Sequence, residues 1–261
     1  MKLNSRTRAT TMRQTEAVLL LGLALTAWVA TVWRMRGMDA GPGTDLGGLG
    51  FYLGIWVTMT AAMMLPSALP AVTLCAHVRR AADAGWFVVG YLTAWTIDGL
   101  VFYGVYRAVR AWAPPFLAWD RSGPLVAGAA LILAGGYQLT PLKQACLRRC
   151  RSPIGLLMRS RSGAAGAVIA GIKYGMLCVG CCLGLMLALF ALGVMSLAWM
   201  ALIGLAILVE KVSARGRLWS GALAAALVGL GIWVAVAPET VPLLTQPPHG
   251  NPAMKAMGAM R

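Results

Sequence analysis

Six cysteines and fifteen methionines make up the sulfur content of this 261-residue chain. Cys178-Val179-Gly180-Cys181-Cys182 places three thiols within five residues. On a helix, Cys178 and Cys182 stand at i and i+4 and share a face, with Cys181 at i+3 beside them and Met186 a turn further on. Thiolates and thioethers are the ligands that suit Cu(I), and zinc also accepts thiolates. The plainer alternative is that Cys and Met fill a tight, glycine-rich helix contact. A second group, Met59-Thr60-Ala61-Ala62-Met63-Met64-Leu65-Pro66, has Met59 and Met63 at i and i+4. Pro66 removes a backbone donor and favours a kink that opens room for a ligand. Otherwise these methionines are gap-fillers in a helical core. The candidate metal ligands are therefore Cys178, Cys181, Cys182 and Met63, followed by Met64, Met59 and Met186.

Two further clusters carry soft donors. Cys75 and His77 close one apolar run, and Cys146-Leu-Arg-Arg-Cys150 lies in a basic segment. Together they would make a Cys/Cys/Cys/His set with loose zinc spacing, or simply reduced thiols without a ligand. The C-terminus holds His249, Met254, Met257 and Met260, a pattern suited to capturing copper from a flexible arm, or an ordinary disordered end. Asp98 and Lys173 fall inside apolar runs, where charge has a functional default; a mutual ion pair and a role in passage are both open. Glu210-Lys211 reads as the interface end of a span. With two histidines and eight carboxylates, no His/carboxylate triad or close carboxylate pair can be drawn, and no catalytic residue is assigned.

The elements that must position these residues are apolar helices. Of the chain, 59% is hydrophobic and 12% is charged, the charged share being about half that of a soluble domain. This excludes a soluble globular protein, a disordered chain and a disulfide scaffold. Seven apolar runs, 17–33, 51–75, 85–106, 124–140, 164–192, 195–210 and 219–237, each approach the ~20 residues of a membrane span. The expected fold is all-α, a polytopic transmembrane helical bundle of about seven spans, six if one is miscounted. One domain covers 1–237, followed by a flexible His/Met-containing tail, 238–261. The run 164–192 is too long for one upright span, and Gly171, Gly175, Gly180 and Gly184 offer places to bend or to approach a neighbour.

Net charge is +15. Nucleic acid is not the expected partner, because no basic segment interleaves charge with aromatics. Positive charge instead collects in cytoplasmic loops. With the N-terminus inside and seven spans, fifteen Lys and Arg fall inside and seven outside, so the expected orientation in the cell inner (plasma) membrane is N-terminus cytoplasmic, C-terminus outside. The glycine-rich 37–50 segment is then an outer loop and 141–163 a basic inner loop broken by Pro141 and Pro153.

Several motifs recur in an order that carries a resemblance: Ala62-Met63-Met64-Leu65-Pro66; Tyr137-Gln138-Leu139-Thr140-Pro141-Leu142-Lys143 with Cys146, Cys150, Arg151, Ser152 and Pro153; Tyr174-Gly175 with Cys178-Val179-Gly180-Cys181-Cys182 and Leu185-Met186; Gly193-Val194-Met195; Trp199-Met200; and Glu210-Lys211. Over about residues 50–237 the chain resembles a bacterial family of predicted metal-binding integral membrane proteins, classed as a domain of unknown function. The resemblance implies a multi-span protein that binds metal, with copper favoured by the ligand types.

Three functions follow from these residues. The first is copper handling: Cu(I) bound by Cys and Met and passed on, or used to assemble a cuproprotein, with a periplasmic copper protein or a membrane complex as partner and membrane lipid as surroundings. The second is a membrane thiol-disulfide oxidoreductase built on Cys178-x-x-Cys181, which lacks an adjacent positive charge unless Lys173 supplies it. The third is an accessory structural subunit of a larger membrane complex, since small residues favour close helix packing. A transporter also stays open.

Overall fold

The computed structural model describes residues 2–35, 47–112, 122–193, 196–213 and 215–241. Regular structure among them is helical: α1 (Lys2–Met35), α2 (Leu49–Val78), α3 (Ala81–Trp112), α4 (Gly123–Gln138), α5 (Pro141–Arg151), α6 (Ile154–Arg159), α7 (Ala164–Leu192), α8 (Leu197–Val212) and α9 (Gly216–Val236), then a 3-10 turn, Pro238–Thr240. The His249/Met254/Met257/Met260 tail and most of the 37–50 loop lie outside the described residues.

Each of the seven apolar runs is helical over most of its described residues. Among the described residues, five stretches are long and apolar enough to cross a membrane: Ala17–Met35, Leu49–Val78, Ala82–Val109, Ala164–Leu192 and Gly216–Val236. The pair α4 and α5, bent by 62° at its break, raises this to six if it is one span. A seventh would require α8, whose sixteen residues extend about 24 Å against a hydrocarbon core of ~30 Å.

The segment expected as a basic inner loop folds into α5 and α6. Thr140 caps α5, its hydroxyl accepting from the Lys143 backbone N–H at 3.4 Å, and Pro141 occupies the first turn, where its missing N–H costs nothing. The prolines therefore start helices here rather than ending them. In α2 the helix continues through both Pro66 and Pro70.

Burial separates centre from periphery. In the most apolar stretch of α2, 72% of residues are buried, and 56% in α7, against 28% in α1, α3 and α9. α7 is unbroken over its 29 residues and packs against α3, α4, α5 and α8. Its glycines serve contact rather than bending. A Cβ at Gly171 would fall 2.1 Å from the Phe87 carbonyl oxygen, and one at Gly175 2.5 Å from Ala94 Cβ. α4 and α9 meet in the same way, Gly128 and Gly231 facing each other's carbonyls. Close backbone approach of this kind drives helix association where no hydrophobic force operates between helices. At the far end of the α3–α7 contact, Phe102 and Phe190 stack at 4.8 Å, so the two helices run in the same direction.

Candidate metal centre

The inward face of α7 carries Cys178, Cys181 and Cys182, all buried, with their Sγ atoms within 4.8 Å of one another. The i, i+3, i+4 spacing and the burial of that face put all three thiols in the core. Cys181 Sγ is 3.6 Å from Cys182 Sγ and donates to the Cys178 carbonyl at 3.1 Å. A metal bonded to three sulfurs at ~2.3 Å holds them about 4 Å apart, so the residues present fit a thiolate-bound ion.

Four other helices reach this sulfur cluster. From α5, Cys150 Sγ comes to 3.8 Å from Cys181 Sγ, and Cys146 lies against Gly180, where a Cβ would meet its Sγ at 2.9 Å. From α8, Lys211 Nζ donates to Cys178 Sγ at 2.8 Å and to Ser67 Oγ of α2 at 3.0 Å. From α3, the Tyr91 hydroxyl is 3.1 Å from Cys178 Sγ. Ser67 in turn donates to the Met64 carbonyl at 2.9 Å.

Beside Lys211 on α8, Glu210 serves a second buried network. Its carboxylate accepts from Lys143 Nζ of α5 and from Ser220 Oγ of α9 at 2.5 Å, and Lys143 also donates to Gln138. Glu210 and Lys143 neutralise each other. No ion pair with a carboxylate is found for Lys211 among the described residues; its hydrogen-bond partners are the Cys178 sulfur and the Ser67 hydroxyl, and a thiolate there would supply its counter-charge. A buried ammonium requires such compensation.

Several sequence expectations change here. Glu210-Lys211 does more than close a helix: both side chains are buried and tie α8 to α5, α9, α7 and α2. Asp98 and Lys173 do not pair. In the parallel α3–α7 register, Lys173 stands beside the start of α3, its side chain exposed, well below Asp98; the Asp98 Oδ2 is buried without a hydrogen-bond partner. The positive charge beside the Cys178-x-x-Cys181 pair is Lys211, not Lys173. The Cys75/His77/Cys146/Cys150 set is divided: Cys150 and Cys146 turn toward α7, while the exposed His77 ring bonds the Thr73 carbonyl one turn back at 2.8 Å.

All four candidate methionines are buried, Met59, Met63, Met64 and Met186 being 0–3% exposed. Met63 packs on α8, where a Cβ at Gly204 would meet its Cγ at 3.3 Å. The hydrogen-bonded link from α2 to the thiols is Ser67 through Lys211. Sequence reasoning missed Lys211, Ser67 and Tyr91 as neighbours of the thiols. The signal for Lys211 was present: a lysine closing an apolar helix, next to a glutamate, within the recurring motifs.

Fold and site together define an all-helical protein with a buried thiol cluster able to hold a metal ion. A family model described as copper chaperone, PpoB2, matches residues 53–234, and the chain belongs to that family. The match runs from α2 into α9 and contains every residue of the centre just described. Neither a curated protein nor a solved structure matches the chain.

Proposed function

We propose that this is an integral membrane copper chaperone that binds Cu(I) through Cys178, Cys181 and Cys182 and passes it to a periplasmic or membrane-complex cuproprotein. The three converging buried thiols carry the reading. Sulfur-only donors select Cu(I) among biological ions more strongly than they select harder cations, and zinc is the lesser candidate. Met63 is the next ligand, with Met64, Met59 and Met186 in reserve. Cys150, in contact with Cys181, offers a thiol from a different helix, and a ligand on a separate element gives the ion a way to change hands. Lys211 would offset one of the two negative charges of a Cu(I)-trithiolate.

Five to six membrane-length helices with exposed apolar side chains support placement in a membrane; the membrane proposed is the cell inner membrane. The excess of Lys and Arg in the segments 1–16, 76–84, 141–163 and 211–217 supports a cytoplasmic N-terminus. With α8 as a seventh crossing, 141–163 and 211–217 share the cytoplasmic side, and an outward C-terminal tail would present His249, Met254, Met257 and Met260 to periplasmic copper.

The test is copper content by mass spectrometry of protein purified anaerobically in detergent, beside a Cys178→Ser/Cys181→Ser/Cys182→Ser variant. About one copper per chain, lost in the variant, is the expected result. No copper in either after Cu(I) loading would remove the metal reading and favour the complex-subunit or thiol-redox one.

A further inference from the structure

One surface feature is not used by the copper centre. Between α5, α6 and the first half of α7 lies an open cleft of about 680 Å³. Arg149, Arg159 and Lys173 line it from three different helices, over an apolar floor that includes Leu156, Ile172 and Met176. All three cationic side chains are exposed. Among the described residues, no carboxylate lines the cleft and no ion pair engages any of the three. A fourth cation stands behind the rim: Arg79 Nη2 donates to Ser160 Oγ at 2.6 Å, and its Nη1 is buried with no partner.

The apolar floor continues outward. Met176 and Ile169 are about half exposed on α7, and Ile154 and Met158 are 52% and 70% exposed on the short helix α6. The cleft thus joins an unneutralised cationic rim to an apolar track along a membrane-length helix. A soluble anion would satisfy the rim and leave the track bare. An amphiphile with an anionic head and hydrocarbon chains satisfies both, and basic pockets between helices at the cytoplasmic face recognise such head groups.

We infer that this cleft binds an anionic phospholipid, its phosphate held by Arg149, Arg159 and Lys173 and an acyl chain lying along Ile172 and Met176. The site follows from the membrane placement proposed above and is independent of copper.

The experiment is native mass spectrometry of the detergent-solubilised full chain, offered phosphatidylglycerol or phosphatidylcholine, with copper content read on the same samples. The expected result is one retained phosphatidylglycerol per chain, favoured about tenfold over phosphatidylcholine. The Arg149→Gln/Arg159→Gln/Lys173→Gln variant should lose that preference while keeping its copper. A control, Arg148→Gln/Arg217→Gln, changes basic residues lining a separate cleft and should keep the preference. Equal retention of the two lipids by the unaltered protein overturns the proposal, as does an unchanged preference in the triple variant or an equal loss in the control. Displacement of the lipid by inorganic phosphate would reassign the cleft to a free anion. Recovery of folded protein without detergent would instead overturn the membrane placement itself.

Discussion

Lys211 Nζ lies 2.8 Å from Cys178 Sγ, so the ammonium at the end of α8 is held by the first thiol of the α7 cluster. Thirty-three residues separate the two. The contact places an ammonium where a metal-thiolate centre would accumulate negative charge, and it brings α8 to the thiol cluster.

Lys211→Met should therefore separate binding from folding. Hydrogen bonds to charged groups contribute about 1.5–3 kcal/mol, so Cu(I) affinity should fall by about tenfold or more, read by competition with a chromogenic Cu(I) chelator. Metal-free thermal stability should change little, because the Cys178 thiol can keep its proton once the ammonium is gone, so that no uncompensated charge is left in the core. Unaltered affinity with a large stability loss would make Lys211 a structural residue only.

Cys150 and Cys181 should report on each other. Their Sγ atoms are 3.8 Å apart, within reach of bonding after a small side-chain rotation. Mild oxidation with diamide should yield a Cys150–Cys181 disulfide, detected by peptide mass spectrometry, and prior Cu(I) loading should suppress it by occupying the thiols. Cys150→Ser should weaken Cu(I) binding less than Cys181→Ser, since Cys181 belongs to the central trio.

The Lys143–Glu210 pair supports the scaffold beneath the site. Glu210→Gln leaves a buried ammonium without its carboxylate, a change that costs about 3–5 kcal/mol, and the melting temperature in detergent should drop sharply. The double change Lys143→Met/Glu210→Leu should recover much of that loss. If both versions melt alike, the pair is not what holds α5 to α8.

Close packing of α3 on α7 gives a steric prediction. Gly171→Ala puts a methyl group 2.1 Å from the Phe87 carbonyl oxygen and should destabilise by about 1–3 kcal/mol. Gly85→Ala is the control: nothing lies within 4 Å of a Cβ there, and alanine is the better helix former by about 1 kcal/mol. The two substitutions should move the melting temperature in opposite directions.

The helical class, the placement of the apolar elements and the shared face of Cys178, Cys181 and Cys182 are legible in the residues alone. Each depends on local properties: hydrophobic run length, and a 3.6-residue period that brings i, i+3 and i+4 together. The α5–α6 region is not legible at that local level, because Pro141 and Pro153 can begin a helix as well as break one; the Thr140 cap sets the start of α5.

What lies around the thiols belongs to the tertiary structure. Lys211, Ser67, Tyr91 and Cys150 come from four helices that meet α7 at contacts set by glycine approach and helix register, and neither can be read from spacing along the chain. Asp98 and Lys173 show the same dependence. Both sit inside apolar runs, yet the parallel register of α3 and α7 offsets them along the bundle, leaving Lys173 exposed. Local periodicity chooses the face a side chain occupies. Only the packing of one helix against another chooses its neighbours, and here that packing brought a lysine and a fourth cysteine to a thiol cluster already visible in the sequence.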